Sequence, residues 1–127
     1  MLNTHLQINE TLNGEVVQLK EGYAKVVLET NEQMGADSKG LVHGGFIFSA
    51  ADYATMVAVN DPNVVLSKTE VKFLAPTKVG QIVELEASIS EQNGNRVTVE
   101  VLGKCEDKNI FKGTFYTVIL EKHVLEL

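Results

Sequence analysis

The sequence predicts an α+β fold: one long central helix with a five- to six-stranded antiparallel sheet wrapped around it. Two observations predict it. Residues 44–60 contain no proline and no lysine and are apolar on almost every face, the mark of a helix enclosed by the rest of its chain. On both sides of that stretch, short apolar–polar runs are bounded by Gly, Asn, Asp and Pro, which read as strands joined by turns. A third observation sets the scale. The 127 residues suffice for one domain with a real core, taken as 1–127.

In chain order, residues 1–13 are polar and mixed, and are expected to form a short strand or turn or to lie across the domain edge. Glu15–Leu19 and Tyr23–Glu29 alternate around Lys20-Glu21-Gly22 and read as a hairpin. Residues 31–42, rich in Gly, Asp, Asn and Ser, form a loop long enough to suggest a functional role. The helix is expected from Gly44 to about Asn60. There Asn60-Asp61-Pro62-Asn63 turns the chain, since the residue before a proline disfavours helix. Val64–Ala75 reads as a long strand, with Val65, Ser67, Thr69, Val71 and Phe73 on one face and Leu66, Lys68, Glu70, Lys72 and Leu74 on the other. Pro76 and Gly80 break it. Ile82–Ser90, the turn Gln92-Asn93-Gly94-Asn95, Arg96–Cys105, a link at Asp107-Lys108-Asn109 and Ile110–Glu121 complete a four-strand meander. Its short links make the last three strands antiparallel neighbours.

Within the helix, Gly45, Ser49, Asp52 and Met56 fall on one stripe. Asp52 is the only charged residue before the helix ends, and no cation stands three or four residues away. A carboxylate on a buried helix is costly unless it is paired, solvated or used. The helix start is the second polar feature. Its first N–H groups have no internal partner and carry partial positive charge. Gly44 and Gly45 let another molecule approach that backbone, where a carbonyl oxygen or developing oxyanion would be stabilised. Asp52 lies eight residues beyond Gly44, roughly 12 Å along the axis. One small reacting group cannot touch both in one chain, which favours a two-fold dimer with shared sites.

Composition excludes several classes. The net charge is −6, with Arg96 the one arginine, which argues against nucleic-acid binding. Cys105 is the only cysteine. It cannot form an internal disulfide and fits a reducing cytoplasm, with an inert buried thiol as the plain reading. The first ten residues lack the pattern of a signal peptide, and the central helix is too short for a membrane span of about 20 residues. His5 and His123 lack metal-ligand partners at workable spacing, and neither a Gly-rich phosphate loop nor a nucleophilic serine elbow is present.

His43-Gly44-Gly45 at the helix start with Asp52 nine residues after the histidine, and Phe73-Leu74-Ala75-Pro76 followed by Gly80, resemble the hotdog-fold thioesterases, in particular the phenylacetate-pathway type. The likeness covers about residues 15–120. It implies hydrolysis of an acyl thioester, usually acyl-CoA, by a homodimer or dimer of dimers. No metal or redox cofactor is implied, coenzyme A entering only as part of the substrate. Under it Asp52 is general base or nucleophile, the Gly44 N–H polarises the thioester carbonyl in the partner's site, and His43 and Gly45 shape the turn. Many relatives carry Asn six residues before the histidine, where this chain has Asp37. An ionised carboxylate accepts hydrogen bonds but cannot donate them.

Other residues have a binding and a plain reading side by side. Phe48 and Met56 line an acyl pocket or belong to the core. Lys68 and Lys72, with Ser67 beside them on the strand, meet coenzyme A phosphates or lie on a solvated face; Lys78 and Arg96 are weighed in the same way. Ser49 is expected to bond back to a helix carbonyl, and Asp52 itself has a structural alternative, a hydrogen bond across the dimer. The competing function is a non-catalytic acyl-CoA-binding sensor, similar to the ligand-binding half of bacterial repressors of lipid synthesis. That half normally follows a DNA-binding segment, which is not legible here.

Overall fold

The computed structural model describes residues Met1–Leu127. In order they form α1 (Glu10–Asn13), β1 (Glu15–Lys20), β2 (Tyr23–Glu29), α2 (Gly44–Val59), β3 (Val64–Phe73), β4 (Ile82–Asn93), β5 (Arg96–Cys105) and β6 (Lys108–Ile119), with short 3-10 turns at 32–34 and 124–126. The strands make one antiparallel sheet in the order β1-β2-β4-β5-β6-β3. Helix α2 leaves β2 near one edge, crosses the inner face, and feeds β3 at the far edge. The expected hotdog architecture is the one observed. No helix is long and apolar enough to cross a membrane.

One core of 22 buried residues lies between helix and sheet. Alternation puts Ala24, Val26 and Leu28 of β2, Val83, Leu85 and Ala87 of β4, and Val97, Val99 and Val101 of β5 on the inner face. Against them α2 sets Ile47, Ala50, Ala51, Ala54, Val57 and Ala58. The run of alanines lets a helix backbone sit close to a sheet that curls around it. Cys105 is also buried, and burial first, then Glu106, pushes its thiol pKa up, away from the thiolate that reactivity requires.

Several details differ from the sequence reading. Residues 10–13 form the helix α1 where a short strand or turn is expected, and β4 runs on through Gln92 and Asn93, two residues expected in the turn. The strand β3 is not part of a meander with β4; its partner is β6. Its faces also do not alternate strictly. A register shift between Leu66 and Lys68 makes Ser67 a bulge, so Leu66 joins Thr69, Val71 and Phe73 on the inner face, opposite Thr117, Phe115, Gly113 and Phe111. An inserted residue reverses the sense of alternation beyond it, which no residue type announces. Lastly, the link between β5 and β6 is Glu106-Asp107, not Asp107-Lys108-Asn109; both residues take positive φ, 51° and 65°, as a two-residue hairpin with the sheet's twist demands.

The chain start is built into the fold. Thr4 is buried, and Leu2, Ile8 and Leu12 pack against the core. Asn60 ends α2 in the left-handed conformation (φ 55°), its N–H donating to Met56 O at 2.8 Å. Its side-chain oxygen accepts from the Asn3 N–H at 2.7 Å, and its amide donates to Met1 O at 2.8 Å.

Candidate functional site

The loop before α2 is pinned to its surroundings by backbone bonds. The Val42 N–H donates to Thr77 O at 2.9 Å, the His43 N–H to Met34 O at 2.8 Å, and the Val79 N–H to Gly40 O at 2.8 Å. His43 is the N-cap residue, extended at φ −64° and ψ 127°, and its side chain makes no capping bond. The Phe46 N–H turns back to His43 O at 3.1 Å. The N–H groups of Gly44 and Gly45 have no partner in the chain, so the positive end of α2 is available. A ring leans on each glycine. A Cβ at Gly45 would stand 3.0 Å from the His43 ring, and one at Gly44 would stand 3.2 Å from Phe73. The exposed His43 ring also meets Phe46 edge-on, 6.1 Å between centroids.

This helix start opens into a cleft of about 330 Å³, walled mainly by Val42, Ile47, Phe73, Leu74 and Ile110. Thr77 lines it too, and the Thr77 hydroxyl is buried with no hydrogen-bond partner. Larger hollows, of about 520 and 640 Å³, lie elsewhere, among side chains such as Glu84 and Lys104 or Glu15 and Glu29. Neither holds an unpaired buried atom, and the helix end beside the second is that of the four-residue α1. The smaller apolar cleft, lined by Gly44 at the start of the long helix and by the buried Thr77, is the better candidate.

Asp52 forms the second half of the candidate site and does not line that cleft. It is half-buried on the face of α2 turned away from the core, and its Oδ1 is buried without a partner. Burial raises its pKa from 3.8 to about 6, because a carboxylate loses solvation there and gains no cation. The one salt bridge in the chain, Lys25–Glu84 at 2.7 Å, is remote in the sheet. A poised, unpaired carboxylate of this kind is what general-base chemistry near neutral pH uses.

The remaining expected residues scatter. On the Asp52 stripe Met56 is buried, and the Ser49 hydroxyl donates to the side-chain oxygen of Asn13 in α1, not to a helix carbonyl. That corrects the back-bonding expectation; Thr55 makes such a bond instead, to Ala51 O at 2.9 Å. Phe48 stacks on Phe115 at 5.6 Å. Asp37 is exposed, and its Oδ1 accepts from the Lys39 and Leu41 N–H groups at 2.9 and 3.2 Å, so it fixes its own loop. Ser67 donates to Tyr116 O at 3.0 Å. Lys68 lies over the Tyr116 ring at 5.3 Å, and Lys72 is opposite Lys112; both lysines are on the outer face of the sheet, away from α2. No three His, Cys, Asp or Glu side chains gather where they could hold a metal ion. The sequence reading missed Asn13 and Thr77. Neither carries a local signal, since each matters through a partner far along the chain.

Comparison with known proteins gives one family and relatives whose names differ in activity. Residues 39–112 match the family model described as Thioesterase superfamily. A methylthioribose-1-phosphate isomerase of Aquifex aeolicus is 57% identical over 94% of this chain, but over only 26% of its own length. Transcription factor FapR of Caldanaerobacter subterraneus is 29% identical over 89% of this chain and 57% of its own. The chain thus spans about a quarter and just over half of these two curated relatives. A protein of Archaeoglobus fulgidus named "Putative esterase" is 30% identical over 86% of this chain and 73% of its own. Among solved structures, an uncharacterized Pyrococcus horikoshii protein superposes with a TM-score of 0.97 at 49% identity, covering 98% of this chain and 96% of that one. A mutant of the phenylacetic acid degradation protein PaaI from Thermus thermophilus gives 0.80 at 27% identity, covering 87% and 96%.

Proposed function

This chain belongs to the thioesterase superfamily, and on that premise we propose that it hydrolyses acyl thioesters, acyl-CoA being the substrate class, at a site shared by two copies of the chain. The observation that carries the reading is Asp52, an unpaired, half-buried carboxylate with a pKa near 6 on a helix whose first N–H groups are free. In the proposed reaction the Gly44 N–H of one copy holds the thioester carbonyl oxygen. The Asp52 carboxylate of the other copy takes a proton from water as its oxygen attacks the carbonyl carbon. The C–S bond breaks, the thiolate leaves and is protonated, and the carboxylic acid departs. The roughly 12 Å between Gly44 and Asp52 along α2 is the reason for assigning them to different copies. The similarity to the Archaeoglobus protein supports an esterase reading; the isomerase activity, named for a chain nearly four times as long, has no such support.

The similarity to FapR favours a second reading, an acyl-CoA-binding sensor without turnover. The experiment that separates them is thiol release from a panel of short, long, branched and aromatic acyl-CoAs, with thermal shift on the same panel. For the enzyme, Asp52→Asn lowers kcat by about 10³-fold and keeps the dimer and coenzyme A affinity; unchanged hydrolysis removes Asp52 from the chemistry. Mixing Asp52→Asn with Gly44→Pro, which lacks the N–H, restores activity in heterodimers if the site is shared. Tight binding of the panel without any thiol release selects the sensor.

A further inference from the structure

Two grooves meet at Thr77. One is the apolar cleft at the start of α2. The other, of about 260 Å³, is bordered by Lys39, Gly40, Leu41, Lys78 and Gln81, and Pro76 and Thr77 belong to both. Thr77 is 5% exposed, and its hydroxyl has no partner. Its backbone is held in place, the carbonyl accepting from the Val42 N–H. A hydroxyl that is buried and unpaired in the chain is a cost, which a polar group supplied by a ligand at the junction would offset. In the second groove the two lysines are free of ion pairs. The Lys78 stem lies over Gly40, where a Cβ would stand 3.8 Å from its Cγ, and Leu41 bridges Lys78 in antiparallel register. The two banks are therefore fixed to each other.

The polar groups come in an order: helix N–H at Gly44, hydroxyl at Thr77, ammonium groups at Lys39 and Lys78. A coenzyme A thioester carries complementary groups in the same order on its thiol side: the carbonyl oxygen, an amide two carbons beyond sulfur, then phosphates. We propose that Thr77 binds the sulfur-proximal amide of the pantetheine arm and that Lys39 and Lys78 take the phosphates, so that the thiol half of the substrate leaves the helix start through the Thr77 junction. The inference rests on the thioester reading of the site. A threonine hydroxyl donates to an amide carbonyl or accepts from its N–H. The assignment moves the phosphates away from Lys68 and Lys72 on the outer face of the sheet.

The test uses one acyl group on three thiols: coenzyme A, N-acetylcysteamine, which has the amide but no phosphate, and ethanethiol, which has neither. Thr77→Val is expected to raise KM for the two amide-bearing esters by about 5- to 10-fold, the value of one neutral hydrogen bond, with kcat unchanged, and to leave the ethanethiol ester unaffected. Thr77→Ser is expected to restore KM. The double variant Lys39→Gln, Lys78→Gln raises KM for the CoA ester alone and flattens its salt dependence. An equal effect of Thr77→Val on all three esters, or on none, overturns the junction. A lysine variant with unchanged KM for the CoA ester overturns the phosphate assignment. If the wild type hydrolyses no thioester, the enzymatic reading fails by itself, and calorimetry decides the track. Weaker pantetheine binding by Thr77→Val supports it; equal or undetectable binding by wild type and variant rejects it.

Discussion

The two faces of α2 obey opposite rules. Toward the sheet, Ile47, Ala50, Ala51, Ala54, Val57 and Ala58 are all at most 4% exposed and mesh with strands of small and branched side chains. On the other side, Gly45, Ser49 and Asp52 remain partly open, and Asp52 keeps an oxygen that is buried and unpaired. The first face stabilises the fold; the second costs stability and holds the groups able to do chemistry. Natural chains tolerate such local conflict mainly where function needs it.

This contrast breaks or sharpens under substitution. The largest effect is expected on the core face. Leu85→Ala, beneath the helix, should lower unfolding free energy by about 3 kcal/mol, read by urea denaturation. A loss below about 1 kcal/mol would mean that the sheet-facing side is not where stability resides. Next comes Asp52→Asn, with the opposite sign. The folded carboxyl holds its proton up to about pH 6, whereas the unfolded one releases it near 3.8. The stability of the wild type is therefore intact below pH 4, falls as pH rises through 6, and stays lower above. The asparagine variant should gain about 2–3 kcal/mol over wild type at pH 8 and nothing at pH 3.5, as thermal melts across that range would show. No gain at pH 8 would point to a partner for the carboxylate across a dimer. The same titration sets turnover. If Asp52 is the base, kcat/KM rises with pH through a limb near 6, and a flat profile from 5 to 8 denies it that role. The smallest effect is expected at the helix start. Gly45→Ala brings a Cβ to 3.0 Å from the His43 ring, which is exposed and can swing aside, so the melting temperature should fall by only a few degrees.

How much of this was legible depended on how local each cause is. The bounds of α2 could be read because Gly44 and Asn60 act through their own backbone, one by lacking a side chain and one by its left-handed φ. Asp52 could be read because its oddity is chemical: a charge inside an apolar run. The hairpins β1–β2 and β4–β5 follow from turns between neighbours. What failed is non-local. The pairing of β3 with β6 joins segments some fifty residues apart, and the Ser67 bulge exists only in that pairing. Ser49 finds Asn13, 36 residues away, before its own helix carbonyl. Thr77 sits in a loop that a sequence reading passes over as punctuation after Pro76; it gains meaning only when the fold lays it beside Gly44 and Lys39.

The placement of β3 also has a consequence in time. A chain emerging from the ribosome makes β1, β2 and α2 early, and then β3, whose only sheet partner ends at Ile119. Until β6 arrives, β3 has no ladder to join, and the apolar helix it follows is only partly roofed. Such a non-local pairing carries a loop-closure cost that must be met before its contacts repay it. Until then the half-made protein keeps part of its greasiest element uncovered, and the last strand completes the enclosure.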